Sequence, residues 1–224
     1  MGFSRDFPFV YSGGSYAHGP LFYYALYDDN VIPDLIFATL IADDPTESFF
    51  QIGDYDNVGT YYDGDLVWID MTDDFFWLSS STSMIYDGET ITYDEIGVEL
   101  DTGTSLAYLD NENGYWLQRR ILKGHRGFKF LGTTYTKCDM DMFSSFFVEL
   151  GGYYFEMPPS SYIRRFDDWG YFWCELGISI EDSDVWLVGD VFFRNYYNVW
   201  DEANSMVGWA IRTGSDATVE PYSI

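Results

Sequence analysis

The sequence predicts an all-β fold with a few short helices, and three observations carry that prediction. Tyr (20), Phe (19) and Trp (8) together make up 21% of the chain, and aromatic rings suit pleated, half-buried surfaces. Short apolar runs bounded by turn residues recur along most of the length, a pattern of strands rather than long helices. Asp63-Gly64, Asp87-Gly88 and Gly151-Gly152 punctuate those runs with residues that accept the backbone of tight turns.

Residues 1–19 are rich in glycine and aromatics without a period and read as loop. Pro20 opens a short helix over Leu21–Tyr27, because proline is tolerated in a first turn, and Asp28-Asp29-Asn30 ends it. Strands follow at Asp34–Ile41, bounded by Asp43-Asp44-Pro45, and at Phe49–Gly53. From Leu66 the β pattern repeats at Leu66–Met71, Phe75–Ser80, Ser83–Tyr86, Thr90–Tyr93 and Ile96–Leu100, with Asp63-Gly64 and Asp87-Gly88 as hairpin turns. Asp110 or Asn111 caps a helix running to Leu122, which Lys123-Gly124 terminates. Strands return at Phe128–Leu131, Thr133–Lys137, Phe146–Leu150 and Tyr153–Met157, the last pair joined by Gly151-Gly152 and ended by Pro158-Pro159. Trp173–Ile180, Val185–Val188, Val199–Asp201 and Met206–Ile211 complete the sheet. No repeat or linker divides the chain, so it reads as one mostly β unit.

The 224 residues, 47% hydrophobic, suffice for a full core. The longest apolar runs, Val185–Val188 and Ile36–Ala42, are too short or too interrupted to span a bilayer. Eleven basic residues against 37 acidic ones give a net charge of −26, the reverse of the footprint that nucleic acid requires. Arg119, Arg120, Lys123, Arg126, Lys129 and Lys137 do cluster, and read as a basic helix end and loop paired with acidic neighbours. An acidic surface also suits work at low pH, where partial protonation relieves self-repulsion. Cys138 and Cys174 match no zinc or redox spacing; if bridged, they would imply an oxidising compartment. Met1-Gly2-Phe3-Ser4-Arg5-Asp6 is no signal peptide, since charge and glycine interrupt any apolar core.

The chemistry concentrates in Val98-Glu99-Leu100-Asp101-Thr102-Gly103-Thr104-Ser105-Leu106. An apolar run delivers a carboxylate to its end, Gly103 allows a tight turn that exposes it, and small hydroxyl residues follow. A companion segment runs Trp186-Leu187-Val188-Gly189-Asp190-Val191-Phe192-Phe193-Arg194-Asn195-Tyr196-Tyr197-Asn198-Val199-Trp200-Asp201, with Asn204 and Val207-Gly208 beyond it. Together these segments resemble the second catalytic loop and the crossing strand of the pepsin-like aspartic proteases. Met157-Pro158-Pro159-Ser160-Ser161-Tyr162-Ile163, Asp34–Asp44 and Tyr61–Leu66 extend the resemblance over nearly the whole chain.

The resemblance implies a pepsin-like acid protease lobe of bent, mostly antiparallel sheets. It divides the chain into a remnant of the first lobe and inter-lobe segment at 1–30, a second catalytic lobe at 31–213 and a C-terminal tail at 214–224. Met1-Gly2-Phe3-Ser4 is similar to the crossing strand that closes the first lobe's catalytic half. It implies that Asp101 is one member of a catalytic dyad, with Thr102, Gly103, Thr104 and Ser105 supporting the loop. Leu187, Val188 and Gly189 would pack behind it, and Cys138 and Cys174 would form the second lobe's disulfide. Two carboxylates about 3 Å apart share one proton and hold a water between them, the ionised member acting as base. The sequence contains no second Asp-Thr/Ser-Gly. The expectation is therefore an aspartic endopeptidase half, inactive alone, which needs a first lobe carrying the other Asp and the flap.

One position departs from the family's pattern. Residue 99, usually aliphatic there and bordering the pocket just past the scissile bond, is Glu99. A buried carboxylate must be paired, protonated or turned to the cleft. Facing the cleft, Glu99 biases that subsite towards basic or polar side chains; hydrogen-bonded locally, it does not select.

Other signals are weaker. Asp54–Gly59 with Asp65, and Asp110–Gly114, faintly resemble calcium loops but lack the full ligand set and the closing Glu, so turn chemistry is the better reading. His18 and His125 offer no metal spacing, and no Gly-x-Ser-x-Gly elbow supports a serine nucleophile. No cofactor or metal is expected. The expected partners are a protein or peptide substrate and the first lobe, in a secreted or lysosomal/vacuolar setting. The alternative is a non-catalytic peptide- or inhibitor-binding protein on the same fold.

Overall fold

A computed structural model describes residues 22–56, 58–124, 127–165 and 173–222. Met1–Ser4, His18, His125 and Arg126 lie outside the described residues, as does Asn57 of the Asp54–Gly59 loop. The first described element is helix α1 (Phe22–Asp28), and strands β1 (Ile36–Leu40), β2 (Phe49–Ile52) and β3 (Tyr62–Asp70) follow. Next come β4 (Leu78–Tyr86), β5 (Glu89–Leu100), β6 (Ala107–Leu109) and helix α2 (Asn111–Ile121). The middle of the chain holds β7 (Phe128–Phe130), β8 (Thr133–Thr136), β9 (Phe146–Leu150), β10 (Tyr153–Met157) and the single turn α3 (Pro159–Tyr162). It continues with β11 (Ile163–Arg165), β12 (Cys174–Leu176), β13 (Ile178–Ile180), β14 (Val185–Val188) and α4 (Asp190–Phe193). Strands β15 (Tyr196–Asp201), β16 (Met206–Arg212) and β17 (Val219–Pro221) close it.

The strands form three sheets, of order β2-β1-β15-β16-β3, β13-β6-β14-β5-β4-β9-β10-β17, and β11-β12-β8-β7. All pairings are antiparallel except β13 with β6 and β14 with β5. The aromatic excess fills the space between the first two sheets. Trp186, Trp200 and Trp209 are fully buried, Phe37 stacks on Trp200 at 5.5 Å, and Phe193 stacks on Trp209 at 5.6 Å. Each such ring removes on the order of 150–250 Å² from water. A smaller cluster, Ala38, Leu40, Tyr62, Tyr197, Val199 and Ala210, packs together apart from that core.

Three hairpins turn on adjacent residues of positive φ: Asp87-Gly88 (53° and 73°), Leu131-Gly132 (48° and 89°) and Gly151-Gly152 (55° and 86°). Asp63-Gly64 is not a hairpin. Both residues lie inside β3, where the register against β16 shifts between Trp209 and Ile211 and Gly64 has φ 80°, so the glycine serves an irregularity within the strand. Two further sequence expectations change. Ser83–Tyr86 is the second half of β4, which bends through a register shift between Ser81 and Ser83, and Phe75 and Phe76 lie outside it in a loop. Thr90–Tyr93 and Ile96–Leu100 are one strand, because β5 pairs with β4 over both stretches and Asp94-Glu95 does not break it. Within residues 214–224, β17 pairs with β10.

Candidate active site

The site is built where β5 ends. Strand β14 inserts between β5 and β6, running parallel to the first (Val188 opposite Leu100) and antiparallel to the second (Val188 opposite Ala107). The chain leaving β5 must therefore loop over β14 to reach β6, and residues 101–106 are that loop. Its entry is fixed by the Asp101 N–H donating to the Val188 carbonyl at 3.0 Å, and its exit by the Ala107 N–H donating to the Gly177 carbonyl at 2.9 Å. Within it the Thr104 N–H donates to the Asp101 carbonyl at 3.1 Å, and the Asp190 N–H donates to the Thr104 carbonyl at 2.7 Å.

Gly189 makes that last contact sterically allowable. A Cβ there would lie 2.1 Å from the Thr104 carbonyl oxygen and 2.8 Å from that of Leu106, so only glycine lets the crossing strand reach the loop. Gly103, in contrast, has no positive φ among the described backbone. Its constraint is proximity, since a Cβ would stand 3.1 Å from Asp101 Oδ1.

Both oxygens of Asp101 are held. The Gly103 N–H donates to Oδ1 at 2.8 Å, and the Thr104 hydroxyl donates to Oδ2 at 2.6 Å. Such charge-assisted bonds fix the plane of the carboxylate. Asp101 remains partly exposed, and Thr102, Gly103 and Ser105 are exposed beside it. Leu187 is half-buried and Val188 buried behind the loop.

Glu99, opposite Leu78 on β4 and Leu187 on β14, is half-buried, and no hydrogen bond or ion pair reaches its carboxylate among the described residues. Burial pushes its pKa up, and the charges of Asp101 and Asp73 push it further. Asp73 belongs to the loop before β4, where it accepts the N–H groups of Phe75 and Phe76. Of the two arrangements open to Glu99, the locally hydrogen-bonded one is not observed.

Asp190 is a site residue that the sequence reading passed over. Besides its backbone bond to Thr104, its carboxyl is raised by burial, with Arg194 and Arg164 opposing and the Asp101 charge adding to the rise. Its adjacency to Gly189 was the available signal. Asp110 is another. It caps α2 through the N–H groups of Glu112 and Asn113 and accepts the indole N–H of the buried Trp186 on β14. Burial alone would raise Asp110, but these donors outweigh it and hold the carboxyl below its ordinary range. The helix after the loop is thus tied to the strand crossing it.

Cys138 and Cys174 are joined by a disulfide, which staples the end of β8 to β12. The resemblance to calcium loops resolves into turn chemistry at Asp56, whose carboxylate accepts the N–H groups of Val58, Thr60 and Tyr61. Among the described residues, no group of three or more His, Cys, Asp or Glu side chains could hold a metal ion.

A model of the eukaryotic aspartyl protease family matches residues 8–212. The chain belongs to that family. It is 30% identical to pepsin A of Sus scrofa over 194 residues, covering 83% of this chain and 48% of that protein. It is 29% identical to pepsin II-2/3 of Oryctolagus cuniculus over 188 residues (80% and 46%) and 29% identical to chymosin of Callithrix jacchus over 194 residues (82% and 46%). The chain thus spans about half the length of the relatives it matches. As a member of this aspartyl protease family it has the mostly β, mostly antiparallel architecture of a pepsin-like lobe.

Proposed function

We propose that the chain is one catalytic half of an acid endopeptidase, with Asp101 supplying one carboxylate of a water-activating dyad. The observation that carries this reading is the Asp101 carboxylate itself, fixed through both oxygens by Gly103 and Thr104 and exposed beside Thr102 and Ser105. A carboxylate held in one plane at an open edge can share a proton with a second one across a cleft, polarise a water and deliver it to a peptide carbonyl. These 224 residues contain no second Asp-Thr/Ser-Gly, so the other carboxylate comes from a first lobe. Thr102 would brace the loop against that lobe. The substrate is a protein or peptide, and the disulfide fits an oxidising, secreted or lysosomal/vacuolar setting.

Glu99 gives the reading a specificity. A half-buried carboxyl group two residues before Asp101, with no hydrogen-bond donor among the described residues, would favour a basic or polar side chain in the adjoining subsite. In the two-lobe enzyme, Glu99→Leu should shift cleavage preference from Lys towards Leu peptides; an unchanged preference removes Glu99 from the subsite.

The test of the main reading compares the chain alone with the chain co-refolded with a pepsin first lobe, using a fluorogenic peptide at acidic pH. Turnover should require both parts, and Asp101→Asn should lower it by about 10⁴-fold or more. Turnover indifferent to Asp101→Asn would overturn the assignment. Peptide binding without turnover in the reconstituted pair would favour a non-catalytic binding protein.

A further inference from the structure

Among the described residues, the basic cluster of the sequence pairs with acidic neighbours only at its helix end. Arg120 makes a two-pronged pair with Glu89, with Lys123 acting on the same carboxylate. Lys129 and Lys137 have no ion-pair partner among the described residues, and neither has Arg165 on the same small sheet. Residues 113–138 contain no Asp or Glu at all, in a chain whose net charge is −26. Within that window every charged side chain is basic.

The β7–β8 hairpin in the middle of this stretch presents apolar side chains to solvent. Phe128, Phe130 and Leu131 are 41%, 50% and 89% exposed. Phe128 stacks on Tyr135 at 5.2 Å and meets Trp173 edge-on at 4.8 Å, so an aromatic platform supports the exposed edge. Alternation along β7 puts Phe128 and Phe130 on one face and Lys129 on the other.

The turn itself points to a purpose other than turning. Both of its residues need positive φ, which costs a branched side chain free energy and favours Asn, Asp or Gly. Among the described residues, the other turns of this kind use Asp87-Gly88 and Gly151-Gly152. Here the first position is Leu131, at φ 48° and almost fully exposed, where it contributes neither to the turn nor to the core. A large apolar group held at a strained tip, with Lys129 two residues before it, fits a ligand that is apolar inside and negative outside.

We propose that this hairpin docks the protein on anionic lipid surfaces, with Leu131 and Phe130 entering the headgroup–acyl boundary and Lys129 meeting lipid phosphates. A convex tip has no walls with which to enclose a folded partner, whereas a bilayer deforms around it. The acidic remainder of the molecule is repelled by the same surface, which forces the hairpin to lead. At about 0.1 M salt that repulsion is screened beyond roughly 10 Å, so a projecting tip makes contact without the rest following. No described helix is long and apolar enough to cross a membrane, and docking of this kind needs none.

Flotation of the 224-residue chain with phosphatidylcholine vesicles, with and without about one-third phosphatidylserine, tests the proposal. Binding should require the anionic lipid and weaken as salt is raised. Leu131→Asn combined with Phe130→Ser should lower the bound fraction about tenfold, since interfacial binding scales with inserted apolar area. Leu131→Asn suits the turn better than the native residue, so a loss of folding cannot mimic the effect; urea midpoints of the variants confirm that. Equal flotation of variant and wild type, or none with anionic vesicles, overturns the proposal. So does a wild-type dimer in sedimentation that the variant abolishes without any vesicle binding, which would assign the tip to a second copy of the chain.

Discussion

The loop 101–106 and the β7–β8 hairpin are both exposed, yet they are held in opposite ways. The loop is fixed by residues distant in sequence: Val188, Gly177 and Asp190 bond to its backbone, and Gly189 leaves no room for it to shift. The outer strand of the hairpin is fixed by its ladder to β8, Phe128 opposite Tyr135 and Phe130 opposite Thr133, with no further strand beside it among the described residues. Determination by distant neighbours suits a site that must hold one carboxylate in one plane. Determination by local pairing suits a tip that must stand clear of the body.

The sharpest way to break this comparison is through its glycines. Gly189→Ala should cost about 3 kcal/mol or more in urea unfolding, because a methyl group would overlap the Thr104 carbonyl. Gly132→Ala, with φ 89° and open space around its Cβ position, should cost about 1 kcal/mol from backbone strain alone. Equal losses would show that the loop yields and is not locked. The next effect is that of the disulfide. Cys174→Ser should lower stability by about 2–4 kcal/mol, and hydrogen exchange should rise in β8 and β12 before it rises in β5 and β14. Simultaneous loss in all four strands would make the two regions one cooperative unit.

Titration sharpens the site side of the comparison. Glu99 has a folded pKa above its unfolded value, so the native state binds that proton more tightly. The associated stability is full below the unfolded pKa and is lost as pH rises through the folded one. Glu99→Gln should therefore raise the urea midpoint near neutral pH and leave it unchanged in acid. Asp110 runs the other way: its lowered pKa gives stability that is present above the unfolded value and lost as pH falls through the folded one. An Asp110→Asn variant should lose most at neutral pH. The smallest expected effect is at the hairpin tip, where Leu131→Asn should stabilise by about 0.5 kcal/mol, read as a higher midpoint.

Local chemistry was legible in the sequence wherever a single residue type carried it. The Asp110 cap and the helix after it, the turns at Asp87-Gly88 and Gly151-Gly152, and the apolar run delivering Asp101 all follow from neighbours within a few positions. Asp63-Gly64 misled because a turn dipeptide and a strand irregularity both call for positive φ, and only the partner strand β16 distinguishes them. Strand β6, three residues long, is too short to show a period.

The family and the strand-rich class were readable from residue types and short spacings, and the same spacings singled out Asp101 as the candidate carboxylate. It took the folded chain to show that β14 passes between β5 and β6, that Asp190 and Trp186 are tied to the loop and its helix, and that no described residue donates to Glu99. The fold also placed Arg120 in an ion pair with Glu89 and left Lys129 beside an exposed apolar tip. The physical reason is separation along the chain. The contacts that fix the loop join residues some 70 to 90 positions apart, and no local pattern encodes which of two equally apolar strands will arrive to make them.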